Sequence, residues 1–171
     1  MKVLKFGGTS VADSKSINNV ISILKDNDEP LFIIVSAFGG VTNLLQKCIV
    51  SKGKSVSGII NEIEQRHLEV IDNLSSLEKQ SSLKSFLKQN LNELEDILDA
   101  ISTIDEVTDK TISKVLTLGE ILSSSIIYEI LKQKGFDISY IDSRELIFTK
   151  YFNNSQVLDS NKTSISIKNK I

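Results

Sequence analysis

The stretch M-K-V-L-K-F-G-G-T-S, residues 1–10, decides how the rest of the chain is read. Val3, Leu4 and Phe6 form a short apolar run around Lys5. Gly7-Gly8 ends it, and Thr9 and Ser10 follow before a helical pattern begins. A strand that breaks into a glycine pair and then a helix suits phosphate handling. Without Cβ atoms, Gly7 and Gly8 are free to take positive φ and to let an anion approach the backbone N–H groups. The helix N-terminus behind them adds partial positive charge, and Lys5 adds a full one. The same residues also read as a plain strand-to-helix turn, and by themselves they do not separate the two readings.

Outward from this stretch the arrangement recurs. Ile17, Val20, Ile21 and Leu24 share one face of a helix over 14–26, with Asp13 or Ser14 as its N-cap. Asp26 to Pro30, the only proline, stops it. L-F-I-I-V at 31–35 reads as a second strand, apolar throughout as expected of a strand covered on both faces. It breaks into Ser36-Ala37-Phe38-Gly39-Gly40, and a helix over 41–51 follows. In open parallel sheets ligands gather outside the carboxyl ends of the strands, which places Gly7 to Ser10 and Ser36 to Thr42 on one rim. The Thr42 hydroxyl is either a helix cap or a ligand contact.

The middle of the chain is helical in pattern. Ile60, Ile63, His67, Ile71 and Leu74 stripe one helix over 57–75. Leu83, Phe86, Leu87, Leu91, Leu94, Leu98 and Ile101 stripe a second over 80–101. A third helix over 108–134 turns Val115, Leu118, Leu122, Ile126 and Ile130 inward, with Gly119-Glu120 embedded in it and Gly135 ending it. A glycine in an apolar helix suggests close approach to something. Glu120 beside it is the best acidic candidate, since a buried carboxylate wants an ammonium or other basic partner; it also reads as an exposed helix residue, against its apolar neighbours Leu118, Ile121 and Leu122. I-S-Y-I at 138–141 reads as a third strand. Beyond Tyr151 the Asn-, Ser- and Lys-rich composition predicts poor order over 151–171. The alternation of strands and helices predicts an α/β fold with a mostly parallel sheet.

Composition excludes several classes. A net charge of -2 leaves no footprint for nucleic acid. The longest apolar run, Leu31 to Val35, is far short of a membrane span, and no signal-peptide pattern opens the chain, so the expected location is the cytoplasm. One cysteine, Cys48, and one histidine, His67, exclude an internal disulfide and a Cys/His zinc site; both read as core residues. The run from Leu91 to Asp109 has seven acidic residues and no Lys or Arg, and reads as a solvated helix face. Gly53-Lys54-Ser55 mimics the end of a phosphate-binding loop, but the first glycine of G-x-x-x-x-G-K-[ST] would fall on Cys48, inside a helical stretch. There is no G-x-G-x-x-G.

Three blocks in order, K-F-G-G-T-S-V at 5–11, V-S-A-F-G-G-V-T-N-L-L at 35–45 and L-G-E-I-L-S-S at 118–124, resemble aspartate kinase, and I-D-S-R-E at 141–145 fits as well. The helical segment between Val50 and Asp109, an insert at about 55–105, resembles that of kinase domains fused to homoserine dehydrogenase. The resemblance implies an amino-acid-kinase fold, a three-layer α/β/α sandwich of which this chain is the N-terminal portion. It implies transfer of the ATP γ-phosphate, carried with Mg²⁺, to the β-carboxylate of L-aspartate, the first step toward lysine, threonine and methionine. Carried over by motif, Lys5 stabilises charge on the transferring phosphoryl group and is the catalytic residue. Phe6, Gly7, Gly8 and Ser10 surround the phosphates. Ser36 and Thr42 contact aspartate, and Glu120 meets its α-ammonium; no protein ligand to a metal is assigned. The later G-R-x-G-S-D block of the family is absent from the sequence. The expectation is therefore a fragment of a homo-oligomeric parent, poor in catalysis on its own and prone to self-association. Two other readings stand beside it: a non-catalytic binding or interaction module of the same fold, and another amino-acid kinase.

Overall fold

A computed structural model of the chain describes residues 2–27, 29–152 and 155–170. The backbone divides into two compact units, one running to Asp137 and one from Ile138 onward. In the first unit β1 (Lys2–Phe6) pairs in parallel with β2 (Leu31–Val35), in a register that sets Lys5 opposite Ile34 and Phe6 opposite Val35. Helix α1 (Ser14–Lys25) makes the crossover, as parallel pairing requires. Asp13 is its N-cap, accepting from the Ser16 N–H at 2.7 Å, and that bond holds the Asp13 carboxyl below the usual carboxylate range.

Four further helices complete this unit: α2 (Val41–Val50), α3 (Ser57–Leu74), α4 (Leu77–Ile104) and α5 (Asp109–Gln133). Their inward stripes are those of the sequence. Ile63, Val70 and Ile71 of α3, Leu91, Leu94 and Leu98 of α4, and Val115 and Ile126 of α5 are fully buried. Each such side chain contributes roughly 1.5–3 kcal/mol by leaving water. Cys48 is buried on α2 and burial pushes its thiol up, so it behaves as a small apolar residue. Part of the acidic run is paired on the surface, Glu93 with Lys114 and Asp105 with Lys52 and Lys54. Helix α5 ends where Gly135 takes φ +86.

The sheet differs from expectation in two respects. Only one face is covered: Val3 and Ile34, on the face shared with Lys5, are 62% and 46% exposed, while Phe6 on the other is buried. Among the described residues, I-S-Y-I at 138–141 forms no strand, because β1 and β2 pair only with each other.

In the second unit β3 (Thr149–Phe152) runs antiparallel to β4 (Ser155–Leu158), and α6 (Ser160–Lys170) follows, in the stretch whose composition predicted little order. A short 3₁₀ turn at Ser143–Glu145 is capped by Asp142, whose carboxyl the Arg144 guanidinium holds below its usual range. The buried Thr163 hydroxyl accepts from the Phe148 N–H at 3.0 Å, and Lys170 pairs with Glu145. Among the described residues no helix is long and apolar enough to cross a membrane.

Candidate functional site

Parallel pairing brings the carboxyl ends of β1 and β2 to one edge, and the ladder continues one step further, with the Ser36 N–H donating to the Phe6 carbonyl at 3.1 Å. The two glycine turns therefore lie against each other. A Cβ on Gly8 would stand 3.4 Å from the Ala37 carbonyl oxygen. One on Gly39 would meet the Ala12 Cβ at 2.7 Å and the Gly8 carbonyl oxygen at 3.3 Å. Gly7 and Gly8 do not use the positive φ open to them; among the described residues of this site only Gly40 does, at φ +81. Gly39 is needed for close backbone approach, whereas a Cβ on Gly8 would make only ordinary contact and Gly7 has open space where a Cβ would be.

Between the turns lies a cleft of about 310 Å³ whose wall includes Gly8, Thr9, Ser36, Gly40, Thr42 and Asn43. Gly40 is the N-cap of α2 and supplies no side-chain cap, so Thr42 stands in the first turn rather than at the cap. That removes the capping reading of its hydroxyl, which has no partner among the described residues. The N–H groups of Gly40, Thr42 and Asn43 likewise bond to no described residue, whereas those of Val41 and Leu44 return to the Phe38 and Gly40 carbonyls. Free amides at a helix start, beside two hydroxyls, favour an anion such as a carboxylate.

The second turn is clasped from two sides. From α5, the Ser123 hydroxyl donates to the Ser36 carbonyl at 2.8 Å, and Gly119 admits Ala37 so closely that a Cβ there would lie 3.0 Å from the Ala37 Cβ. This is the close approach that the embedded glycine implied. From α3, Arg66 Nη1 donates to the Gly39 carbonyl at 2.9 Å, and the His67 ring packs on Phe38 with centroids 4.9 Å apart. The same helix reaches α1, where the Glu69 carboxylate accepts from the Ser14 hydroxyl at 2.6 Å and from its N–H at 3.1 Å.

His67 is completely buried. Its Nδ1 lies 2.7 Å from the Ile63 carbonyl, which assigns the proton to that nitrogen, and Nε2 has no hydrogen-bond partner among the described residues. Burial lowers its pKa from 6.5 to about 4, so the ring is neutral at neutral pH and is no general base there. The unfolded chain takes up a proton near pH 6.5 while the folded chain waits until about 4. This contribution to stability is whole above the unfolded value and falls as the pH drops between the two, by about 3 kcal/mol in total. Urea unfolding at pH 7.5 and 4.5 should show a loss for the native chain that is smaller in His67→Leu; equal losses would exclude the effect.

Of the residues singled out in the sequence, the fold brings Gly8, Ser36 and Thr42 to the cleft wall. Ser10 and Gly7 belong to the same turn, where the Ser10 N–H donates to the Gly7 carbonyl at 2.9 Å, and Phe6 is buried beneath it. Lys5 is exposed on β1 and Glu120 is half-buried on α5 next to Gly119; neither stands in the wall. Neither side chain makes a hydrogen bond or ion pair to a described residue. Arg66 and Ser123 were missed. Glu62 and Arg66, spaced i to i+4 and bonded at 2.8 Å, read in sequence as an ordinary surface pair.

The model of the amino acid kinase family matches residues 1–168. An aspartokinase of Chlamydia pneumoniae is 32% identical over 147 residues, covering 86% of this chain and 31% of that protein. A bifunctional aspartokinase/homoserine dehydrogenase of Buchnera aphidicola is 28% identical over 149 residues, covering 83% of this chain and 18% of that one. Among solved structures, E. coli aspartokinase III in complex with aspartate and ADP has the same fold, with a TM-score of 0.85 at 19% identity over 99% of this chain and 37% of that one. Clostridium acetobutylicum aspartate kinase matches at a TM-score of 0.72 and 25% identity, over 100% of this chain and 36% of that one. The chain thus spans a third or less of the length of the curated relatives named here.

Proposed function

The chain belongs to the amino acid kinase family and has the α/β fold of that family, and from that premise we propose that it carries the acceptor side of an aspartate kinase. The reaction is transfer of the ATP γ-phosphate to the β-carboxylate of L-aspartate, at the start of lysine, threonine and methionine synthesis. The observation that carries this reading is the cleft, where the Ser36 and Thr42 hydroxyls and the unpaired N–H groups of Gly40, Thr42 and Asn43 converge. A small dicarboxylic amino acid matches that donor set. The similarity to proteins named aspartokinase supports this choice of acceptor.

The residues take distinct roles in this proposal. Ser36 and Thr42 donate to a carboxylate of aspartate, and Glu120, whose carboxylate has no partner among the described residues, receives the α-ammonium. The turn at Gly7, Gly8 and Ser10, set on the buried Phe6, holds the phosphates, and Lys5 neutralises charge on the group in flight. Phosphoryl transfer needs little more than such positioning and neutralisation. Mg²⁺ is taken to arrive on the nucleotide phosphates, with no protein ligand assigned to it. With no G-R-x-G-S-D block in its sequence, the chain alone is proposed to bind aspartate but to turn over poorly.

The test is ADP release with ATP, Mg²⁺ and L-aspartate, measured on the chain and on a chimera in which it replaces the matching 31% of the Chlamydia pneumoniae relative. Release by the chimera that depends on L-aspartate is the expected result. Release with a different acceptor would reassign the substrate, and aspartate binding without release would favour a binding module. Thr42→Val should weaken aspartate binding about tenfold, the loss of one hydrogen bond to a charged group. Its melting temperature should stay put, because the hydroxyl has no partner among the described residues. An unchanged dissociation constant in a calorimetric titration would remove Thr42 from the site.

A further inference from the structure

The peptide joining Gly39 to Gly40 lies in the cleft wall between two residues without side chains. Neither residue has a Cβ, so steric resistance to rotating this peptide plane is low. Gly40 already sits in the left-handed region at φ +81, and α2 behind it has no side-chain cap. One side chain restrains it. Arg66 Nη1 donates to the Gly39 carbonyl at 2.9 Å, and the guanidinium lies over Gly40, with Nη1 3.4 Å and Cζ 3.6 Å from where a Cβ would be. Glu62 holds Nη2 at 2.8 Å and fixes the plane of the fork. The side chain is 40% exposed, so it has access to water, yet its Nε is buried without a partner among the described residues. An arginine that served only the surface pair with Glu62 would avoid that penalty by swinging outward.

A trans peptide carries its C=O and the following N–H on opposite sides. By holding the Gly39 carbonyl toward α3, Arg66 turns the Gly40 N–H the other way. That N–H bonds to no described residue, and Gly40 lines the cleft while Arg66 does not. We propose that Arg66 is a positioning residue that locks the Gly39–Gly40 peptide so that the Gly40 N–H donates to the carboxylate of the acceptor bound in the cleft. Its charge is largely answered by Glu62, so its action is directional. The ligand part rests on the aspartate reading above; the locking part does not. A lysine supplies one donor without the second arm of the fork, and a methionine fills the space with no donor.

The experiment compares the chain with Arg66→Met and Arg66→Lys by amide NMR, first free and then titrated with L-aspartate. In free Arg66→Met the Gly40 resonance should broaden or double as the peptide samples both orientations, while amides of α4 stay in place. Its aspartate dissociation constant should rise about tenfold, and Arg66→Lys should fall between it and the parent chain. A sharp, unshifted Gly40 resonance in Arg66→Met would overturn the lock whatever binds. A normal lock-loss signature with undiminished aspartate affinity would overturn the ligand role. If the parent chain itself binds no L-aspartate, the acceptor assignment fails and takes the ligand role with it, and the Gly40 resonance still decides the lock.

Discussion

Lys5→Ala in the chimera should lower turnover by about 100- to 1,000-fold, the loss expected when a preorganised charge on a transition state is removed. Binding of L-aspartate should stay within about twofold, because the expected contacts to aspartate lie with Ser36, Thr42 and Glu120. The geometry behind this is plain. Lys5 is exposed at the end of β1, opposite Ile34 and just before the first glycine turn, with no ion pair or hydrogen bond to the described residues. An ammonium without a partner is available to a phosphoryl group. Removing it from an exposed strand position should alter stability by no more than about 0.5 kcal/mol. Single-turnover ADP release beside an aspartate titration separates the two effects. Equal losses in turnover and aspartate affinity would refute the assignment of Lys5 to the transition state.

Gly39→Ala should disrupt fold and cleft together. The new Cβ would lie 2.7 Å from the Ala12 Cβ and 2.9 Å from the Ala12 Cα, so the start of α1 and the second turn must move apart. Overpacking of this kind costs about 1–3 kcal/mol, a fall in melting temperature on the order of 5 °C for a chain of this size. The displaced turn carries Gly40 and the start of α2, so anion affinity should fall as well. Gly7→Ala is the control, since a Cβ there meets nothing within 4 Å and Gly7 does not use positive φ. Thermal melts of the two variants settle the matter. A Gly39→Ala protein as stable as Gly7→Ala would mean that the turns are not in contact.

Much of this was legible in sequence. The apolar positions at Ile17, Val20, Ile21 and Leu24, at Ile60 to Leu74, and at Val115 to Ile130 repeat at the helical period, and burial follows them. Asp13 as a cap and Gly135 as a stop are local chemistry, settled within a few residues of chain. I-S-Y-I failed because an apolar alternation has strand propensity but becomes a strand only where another strand pairs with it, and among the described residues no strand does.

By itself, then, the sequence determined the helices of the first unit, the parallel order of β1 and β2, the family and the rim on which Gly8, Ser36 and Thr42 meet. These follow from periodicity, caps and short motifs, all of them near-neighbour properties of the chain. Only the tertiary structure decided why the glycines are there, that Thr42 is no cap, and that Arg66, from a helix outside the motifs, grips the Gly39 carbonyl. Those facts depend on which backbones approach within a few ångströms across separations of 27 residues between Gly39 and Arg66 and 87 between Ser36 and Ser123. Local propensity has no term for such contacts; packing does.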